Sequence, residues 1–151
     1  MAKNVFDSSV NAELLLRINT LSSSMLPKWG KMSVSQMLAH CCVPYEFVYE
    51  SIHPKPKGLK KFLIRLFIKK IVTNEKAYSK NGRTSKEFII TDQVDFEKEK
   101  SRLIDYISKT SELGSNHFEG KESHSFGKLT STEWSNMFYK HLDHHLTQFG
   151  V

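Results

Sequence analysis

The chain lacks the features that would let it span a membrane or be held together by disulfides. Runs of consecutive apolar residues, such as Leu66-Phe67-Ile68, are only three residues long, whereas a membrane-spanning helix needs about 20 mostly apolar residues. The two cysteines, Cys41 and Cys42, are adjacent in sequence, which is a poor arrangement for a structural disulfide between them. The N-terminal residues contain no apolar stretch of the kind found in secretory signals. We therefore expect a protein of the reducing cytoplasm.

The composition is that of a folded protein whose positive charge is concentrated in one segment. The chain has 151 residues, of which 39% are hydrophobic and 25% charged, and a formal net charge of +6. This length suits one domain, and neither percentage fits a disordered chain. Eleven of the 22 Lys and Arg residues but only one of the 16 acidic residues lie in 55–86, so this segment carries +10 and the remainder −4. Any argument about anionic partners therefore concerns this segment.

Apolar residues recur every three or four positions in several stretches, which is the spacing of an amphipathic helix. Ser33 is suited to cap the second of these helices, and Pro44 should kink it because proline donates no backbone hydrogen bond. The helices predicted from spacing and end signals span about 7–22, 33–51, 59–72, 94–113 and 131–149.

The connections between these helices carry weaker signals. A turn is expected at Asn81-Gly82, a short β-like run at 88–90 and a polar connection over 114–130. The prediction is a single all-α domain over 1–151, with four main helices and an inserted basic helix between the second and third.

Three of the seven histidines lie where helical geometry brings them together. His141 and His145 are one turn apart and separated by roughly 40° around the last predicted helix. They share a stripe with Trp134 and Phe138, so both imidazoles should point towards the core and are placed to bind one ion. His40 lies on the inward face of the second predicted helix and is the candidate third ligand.

Three neutral imidazoles would leave the fourth position of a divalent ion open, which is the pattern of a catalytic metal site. Zn²⁺, Ni²⁺ and Fe²⁺ all accept imidazole, and the ligand set does not choose between them. An isolated pair of histidines at this spacing is more often hydrogen-bonded or solvated than metal-bound. That alternative stays open on the residues alone.

Four further residues are candidates for the surroundings of this site. Gln36 precedes His40 by one turn, and Trp134 and Phe138 precede His141, so these three are candidate pocket walls. Ordinary core packing is the alternative for the two aromatic residues. His144, at the edge of the inward stripe, is expected to support a ligand or to be solvated.

Two separated stretches resemble a known family. One stretch is 141–150, which is preceded by 126–130 and by Glu133-Trp134, and the other is 29–40, which ends at His40. They resemble the DinB-like metalloprotein superfamily, and within it an uncharacterised bacterial branch. This resemblance implies an up-down-down-up four-helix bundle formed by 1–151. It also implies a metal ion held by His40, His141 and His145.

The resemblance further implies a divalent-metal-dependent enzyme that acts on a small molecule, but it assigns no catalytic residue. Characterised relatives include thiol-dependent S-transferases, so a low-molecular-weight thiol is a second implied cofactor, and a homodimer is also implied. Metal-dependent hydrolysis remains an alternative, because the sequence contains no recognised thiol-binding motif. A third possibility is a non-catalytic binding module that uses the basic helix 59–72 on an anionic surface.

The predicted basic helix 59–72 alternates lysines with large apolar residues around more than half of the helix. One interpretation is a broad apolar face that covers the bundle or a dimer partner while the lysines stay in water. The other is an amphipathic helix that docks on an anionic membrane surface. The width of the apolar face favours packing, and nucleic-acid binding is not favoured, because no DNA- or RNA-reading motif is present.

Overall fold

The computed structural model describes residues 2–82 and 84–151, and the chain is predominantly helical, as predicted. Four longer helices, α1 (Ser8–Asn19), α2 (Val34–Tyr49), α5 (Phe96–Phe118) and α6 (Ser131–Gln148), pack against one another. Two shorter helices, α3 (Gly58–Phe67) and α4 (Lys69–Thr73), lie between α2 and α5 in sequence. The only strands among the described residues, β1 (Glu122–Ser123) and β2 (Gly127–Lys128), form an antiparallel hairpin. The same part of the chain contains no helix of the length and apolarity needed to cross a membrane.

One cluster of buried side chains forms the core between the four longer helices. Each of these helices contributes fully buried residues, including Leu14, Met37, Leu103, Phe138 and Leu142. Helix α2 lies closest to the centre, because every residue from Met37 to Glu46 is buried. A helix that is buried all round needs support on several sides, and α2 packs against both α5 and α6.

Local capping marks the starts of α2 and α6, and the cap of α2 is the one that the sequence predicts. The Ser33 hydroxyl accepts a hydrogen bond from the Gln36 amide, and the Gln36 side chain accepts one from the Ser33 amide, which makes a reciprocal capping box. Thr130 and Glu133 form the same arrangement at the start of α6. Helix α2 continues through Pro44 to Tyr49 without a break.

The structure agrees in part with three predictions about individual elements. The predicted helix 59–72 is divided into α3 and α4 at Ile68, whose φ of −101° departs from helical geometry. Residues 88–90 were predicted to be β-like; Phe88 is the last residue of a 3₁₀ turn, Lys86–Phe88, and Ile89 after it is extended. Gly114, with a φ of 71°, interrupts α5 directly after the predicted end at 113, and a further helical segment continues to Phe118.

The apolar face of α3 was predicted to cover the bundle or a dimer partner, and the first of these alternatives was wrong. No residue of α3 is buried, and Leu59, Phe62 and Phe67 are among its most exposed side chains. The attachment of this region to the rest of the chain is polar. In α6, Lys140 donates a hydrogen bond to the Ile71 carbonyl at 2.8 Å, and Asn136 donates one from its side-chain amide to the Thr73 carbonyl at 2.9 Å.

Candidate metal centre

Helices α2 and α6 bring three histidines together in the core. One ring nitrogen from each of His40, His141 and His145 lies within 4.8 Å of the others. His40 and His145 are buried, and His141 is partly buried. The two α6 residues meet because they are one helical turn apart, and His40 faces them from α2 since α2 packs against α6. The structure thus assembles the three residues that the sequence selects as ligands.

The distance between the facing nitrogens is suited to a shared ion. His40 Nε2 and His141 Nε2 are 3.0 Å apart. Two imidazole nitrogens that bind one ion at about 2.0–2.1 Å lie roughly 2.9–3.4 Å apart, for bond angles between about 90° and the tetrahedral angle. The ring centroid of His145 lies 4.5 Å from that of His40 and 4.9 Å from that of His141. The His40 and His141 nitrogens therefore already have the separation that a shared ion requires, and the His145 ring lies next to both of them.

Hydrogen bonds to the opposite nitrogens orient two of the rings. His40 Nδ1 lies 2.8 Å from the Phe88 carbonyl oxygen, and His145 Nδ1 lies 2.8 Å from Gln148 Oε1. Because a carbonyl oxygen only accepts, each Nδ1 carries the proton and donates it. The Nε2 of each ring is left with its lone pair directed away from these partners. Metal-binding histidines are commonly oriented in this way.

Gln148 is itself held in place by the loop before α2. Its Nε2 donates to the Trp29 carbonyl at 2.6 Å, which fixes Oε1 as the atom that faces His145. Gly30 makes this approach possible, because a Cβ at that position would lie 2.6 Å from Gln148 Nε2. Gly30 also has a φ of +82°, which residues with a side chain rarely adopt.

The three rings are neutral at ordinary pH. Burial lowers the pKa of His40, and it lowers that of His141 well below the usual range, with the neighbouring imidazoles adding to the effect. Burial lowers the pKa of His145 to about 3, although the hydrogen bond to Gln148 opposes the shift. A neutral imidazole is the form that binds a metal, so no proton has to be displaced from these nitrogens near pH 7.

Of the other candidate residues, His144 lies next to one of the three rings, and Trp134 and Phe138 pack against each other. The His144 ring is 4.9 Å from that of His145 and packs edge-on against Trp29 and Tyr78. Burial lowers the pKa of His144. Trp134 and Phe138 stack on each other in the core with centroids 5.6 Å apart.

Gln36 has its side chain in the capping interaction with Ser33 at the start of α2. The thiols of Cys41 and Cys42 point elsewhere, towards the Met37 sulfur and the Glu99 carbonyl respectively. Neither cysteine therefore belongs to the metal centre.

Sequence reasoning missed the groups that orient the ligands. Gln148 could have been found, because a residue three positions after His145 lies on the same side of a helix. Phe88 contributes a backbone carbonyl and an aromatic ring 5.3 Å from that of His40. A backbone acceptor has no residue-type signal, so nothing in the sequence identifies this contact.

A second polar cluster lies beside the centre, between α2 and α5. Arg102 forms ion pairs with the buried carboxylates of Glu46 and Glu99, and His53 binds the other oxygen of Glu46 at 2.6 Å. These groups line a cavity of about 250 Å³ together with Asp92 and apolar residues of α2. Because both buried carboxylates are paired, this cluster joins the helices rather than presenting a free charge.

Comparison with known proteins adds a family to this description. A family model described as a protein of unknown function (DUF1569) matches residues 6–150. No curated protein matches the chain. No solved structure matches it either.

Proposed function

We propose that this chain, which belongs to the DUF1569 family of proteins of unknown function, is a metalloenzyme in which His40, His141 and His145 hold one divalent transition-metal ion. The observation that carries the proposal is the convergence of three neutral imidazoles on one point in the core. Two of them have their outer nitrogens already engaged, by Phe88 and Gln148. Three such rings supply a ligand set with one position left for a reactant.

The ligand set restricts which metal ions suit the site and which kind of group suits the fourth coordination position. Nitrogen donors without a thiolate or carboxylate suit Zn²⁺, Ni²⁺ or Fe²⁺ better than Mg²⁺ or Ca²⁺. Because the ligands are neutral, they leave the full charge of the ion in the site. That charge favours an anionic group at the open position.

A divalent ion bound here would act as a Lewis acid and make a thiol or a water molecule nucleophilic at neutral pH. The residues of the chain shape the space for that reaction. Phe88 packs edge-on against His40 and His141 and shields one side of the rings from water. We propose His144, whose ring lies 4.9 Å from that of His145 and whose pKa is lowered by burial, as the group that accepts a proton from a bound reactant.

The resemblance to DinB-like proteins favours a small thiol as the reactant and transfer of its sulfur to an electrophilic small molecule. Metal-dependent hydrolysis is the alternative, since His144 is placed to serve either reactant. The resemblance also supports an up-down-down-up arrangement of the four longer helices and a homodimer as parts of the same proposal. The free, buried cysteines agree with a cytoplasmic location.

Metal content tests the proposal directly. We expect protein purified without a histidine tag to contain close to one equivalent of Zn, Ni or Fe by elemental mass spectrometry. His141→Ala should reduce this to background, whereas His117→Ala, which changes an exposed histidine at the end of α5, should leave it unchanged. A content below a tenth of an equivalent after reconstitution with each metal would overturn the proposal.

The reaction class requires a separate assay. The metal-loaded protein is incubated with a panel of electrophiles with and without bacterial low-molecular-weight thiols, and products are identified by mass spectrometry. Turnover that needs the thiol supports S-transfer. Turnover in water alone supports hydrolysis and rejects the thiol.

A further inference from the structure

Helix α3 presents its apolar side to solvent. On a helical wheel, Leu59, Phe62, Leu63, Leu66 and Phe67 occupy one continuous arc of roughly 140°. All five are exposed, with Leu59 at 72% and Phe67 at 62% of full exposure. Two more apolar residues that follow the break, Ile68 and Ile71, are exposed as well. An exposed patch of this kind marks an interaction surface.

On the side of α3 opposite the apolar arc, charged side chains contact the rest of the protein. Lys61 pairs with Glu122 of β1 at 3.6 Å, and in α4 Lys69 pairs with Glu133 of α6 at 3.1 Å. The guanidinium of Arg65 lies against the backbone of Gly127, where an added Cβ would come within 3.2 Å of it. These contacts lie on the side of the helix opposite the apolar arc, so the apolar arc is directed away from the rest of the protein.

Positive charges border the apolar arc. Lys55 and Lys57 precede α3 and Lys70 follows it, and all three are exposed. The ion pairs among the described residues do not include these three lysines. The border is therefore cationic at both ends, within a segment that carries +10.

We infer that α3 and its flanking lysines, the residues 55–71, form a docking surface for an anionic phospholipid bilayer. Interfacial helices combine leucine and phenylalanine with lysine and bury their apolar side about 5–10 Å into the headgroup region. Each lysine held near an anionic bilayer adds to the attraction. In α3, the exposed apolar arc supplies the side chains that enter the headgroup region, and the lysine border supplies the electrostatic attraction.

Charge complementarity distinguishes the bilayer from the other occupants of such a face. A second copy docked through the same face would bring one +10 segment against another, which is unfavourable. An acidic nucleic acid would satisfy the lysines but would leave the phenylalanine and leucine side chains without an apolar environment. An anionic bilayer provides negative charge and an apolar interior in the same place.

Docking through this surface would also orient the rest of the molecule. Helix α4 follows α3 directly, and its Ile71 carbonyl accepts a hydrogen bond from Lys140 of α6. Because His141 is the next residue of α6, the candidate metal centre is held at a fixed position relative to the bilayer. The surface and the metal centre use different residues, so docking does not depend on the proposed function.

Vesicle co-sedimentation of the full chain tests the inference. We expect the protein to pellet with vesicles of phosphatidylcholine containing about 30% phosphatidylserine and to stay in solution with pure phosphatidylcholine. Raising the salt from about 0.05 M to about 0.5 M should weaken binding, because the electrostatic part is screened. Failure to pellet with the anionic vesicles at low salt would overturn the inference.

Paired variants with equal changes in charge locate the surface. Phe62→Glu with Leu66→Glu should abolish pelleting, whereas Leu16→Glu with Leu26→Glu, which changes two exposed leucines elsewhere, should retain it. Lys57→Gln with Lys70→Gln should weaken binding by about 25-fold, at roughly fivefold per lysine. Lys31→Gln with Lys98→Gln, at two exposed lysines outside the segment, should retain wild-type binding within about twofold.

Two results would contradict docking on a bilayer, and one of them would assign the surface to a second copy of the chain. Circular dichroism must first show that each variant is folded, and equal pelleting of the two glutamate pairs would then overturn the inference. Analytical ultracentrifugation that finds a dimer in the wild type and a monomer in Phe62→Glu with Leu66→Glu would assign the face to a second copy. The same oligomeric state in both, together with anionic vesicle binding, supports the bilayer.

Discussion

At the scale of single residues, the orientation of the candidate ligands depends on side chains that do not touch the ion themselves. His145 is held by Gln148, and Gln148 by the Trp29 carbonyl. This chain of hydrogen bonds keeps the proton of His145 on Nδ1 and its lone pair on Nε2. The metal affinity of the centre should therefore respond to a change at Gln148.

Gln148→Ala should weaken metal binding by about 10–100-fold, as is typical when the partner of a ligating histidine is removed. Competition titration with a chromophoric chelator measures the change. Gln36→Ala is the control, because Gln36 caps α2 and does not contact the three histidines. Equal affinities for Gln148→Ala and the wild type would show that Gln148 does not orient His145.

The two cysteines should be unreactive in the folded protein. Cys41 and Cys42 are at most 1% exposed. Burial raises the pKa of Cys41 well above its usual range and that of Cys42 to about 12. Since the thiolate is the reacting form, alkylation at pH 8 should be slower than in denaturing urea by on the order of a thousandfold. Mass spectrometry after iodoacetamide treatment tests this, and equal rates in both conditions would contradict the burial of the thiols.

At the scale of helices, the polar cluster between α2 and α5 holds two central elements together. Glu46 of α2 and Glu99 of α5 are both buried, and both pair with Arg102. Removing the guanidinium would leave two carboxylates without their shared cation. Buried charges in that position are costly.

Arg102→Met should lower the free energy of unfolding by about 2–4 kcal/mol, a range reduced for the partial exposure of the arginine. Urea denaturation measures the loss. Lys3→Met, which removes the partner of Glu13 from an exposed ion pair, should cost less than about 1 kcal/mol. Adding Glu46→Gln to Arg102→Met should restore part of the stability, and no recovery would place the cost in packing instead of charge.

Helix positions could be predicted where the determining signals are local. Ser33 marks the start of α2 in the sequence, and the predicted starts at 33 and 131 agree with the structure. The division at Ile68 could not be predicted, because neither Gly nor Pro lies at this position or next to it. The ion-pair partners of α3 and α4 are Glu122 and Glu133, which lie far away in the sequence. Tertiary ion pairs of this kind are not visible in the spacing of apolar residues.

The candidate site follows the same division. His141 and His145 could be paired from the helical repeat alone, and His40 followed from its place on the inward face of α2 and from the family resemblance. The Phe88 carbonyl could not be predicted, because the segment that contains it was predicted to be β-like and forms a 3₁₀ turn.

At the scale of the whole molecule, the burial of three histidines makes the metal-free protein sensitive to acid. Near pH 7 these imidazoles are neutral in both the folded and unfolded states, so burial imposes no charge penalty. Below about pH 6.5 the unfolded chain binds protons that the folded chain does not, because burial holds the folded pKa of His145 at about 3. The contribution of the buried histidine to the free energy of unfolding is therefore fully present above pH 6.5 and is lost as the pH falls.

The free energy of unfolding of the metal-free protein should decrease by up to about 1.4 kcal/mol per pH unit for each buried histidine below pH 6.5. Urea denaturation at several pH values gives this slope. His145→Gln should reduce it by about one proton, whereas His117→Gln, at an exposed site, should not change it. An unchanged slope in His145→Gln would mean that this ring is protonated in the folded state.

An ion bound between α2 and α6 should stabilise the whole fold, because its ligands come together only in the folded chain. Free metal at about 100 times its dissociation constant should add about 2.7 kcal/mol to the free energy of unfolding. Thermal denaturation with and without Zn²⁺, Ni²⁺ or Fe²⁺ measures the effect. His40→Gln should abolish it, and stabilisation that persists in this variant would place the ion elsewhere.

Gly30 connects the loop before α2 to the orientation of His145, although Gly30 is not itself a candidate ligand. Its missing side chain lets Gln148 reach the Trp29 carbonyl. A methyl group there would displace the amide, free the His145 ring to rotate and allow its proton to move to the nitrogen that faces the ion. Variation at this one loop position is thus a route by which related chains could tune, or silence, their metal centres while keeping all three histidines.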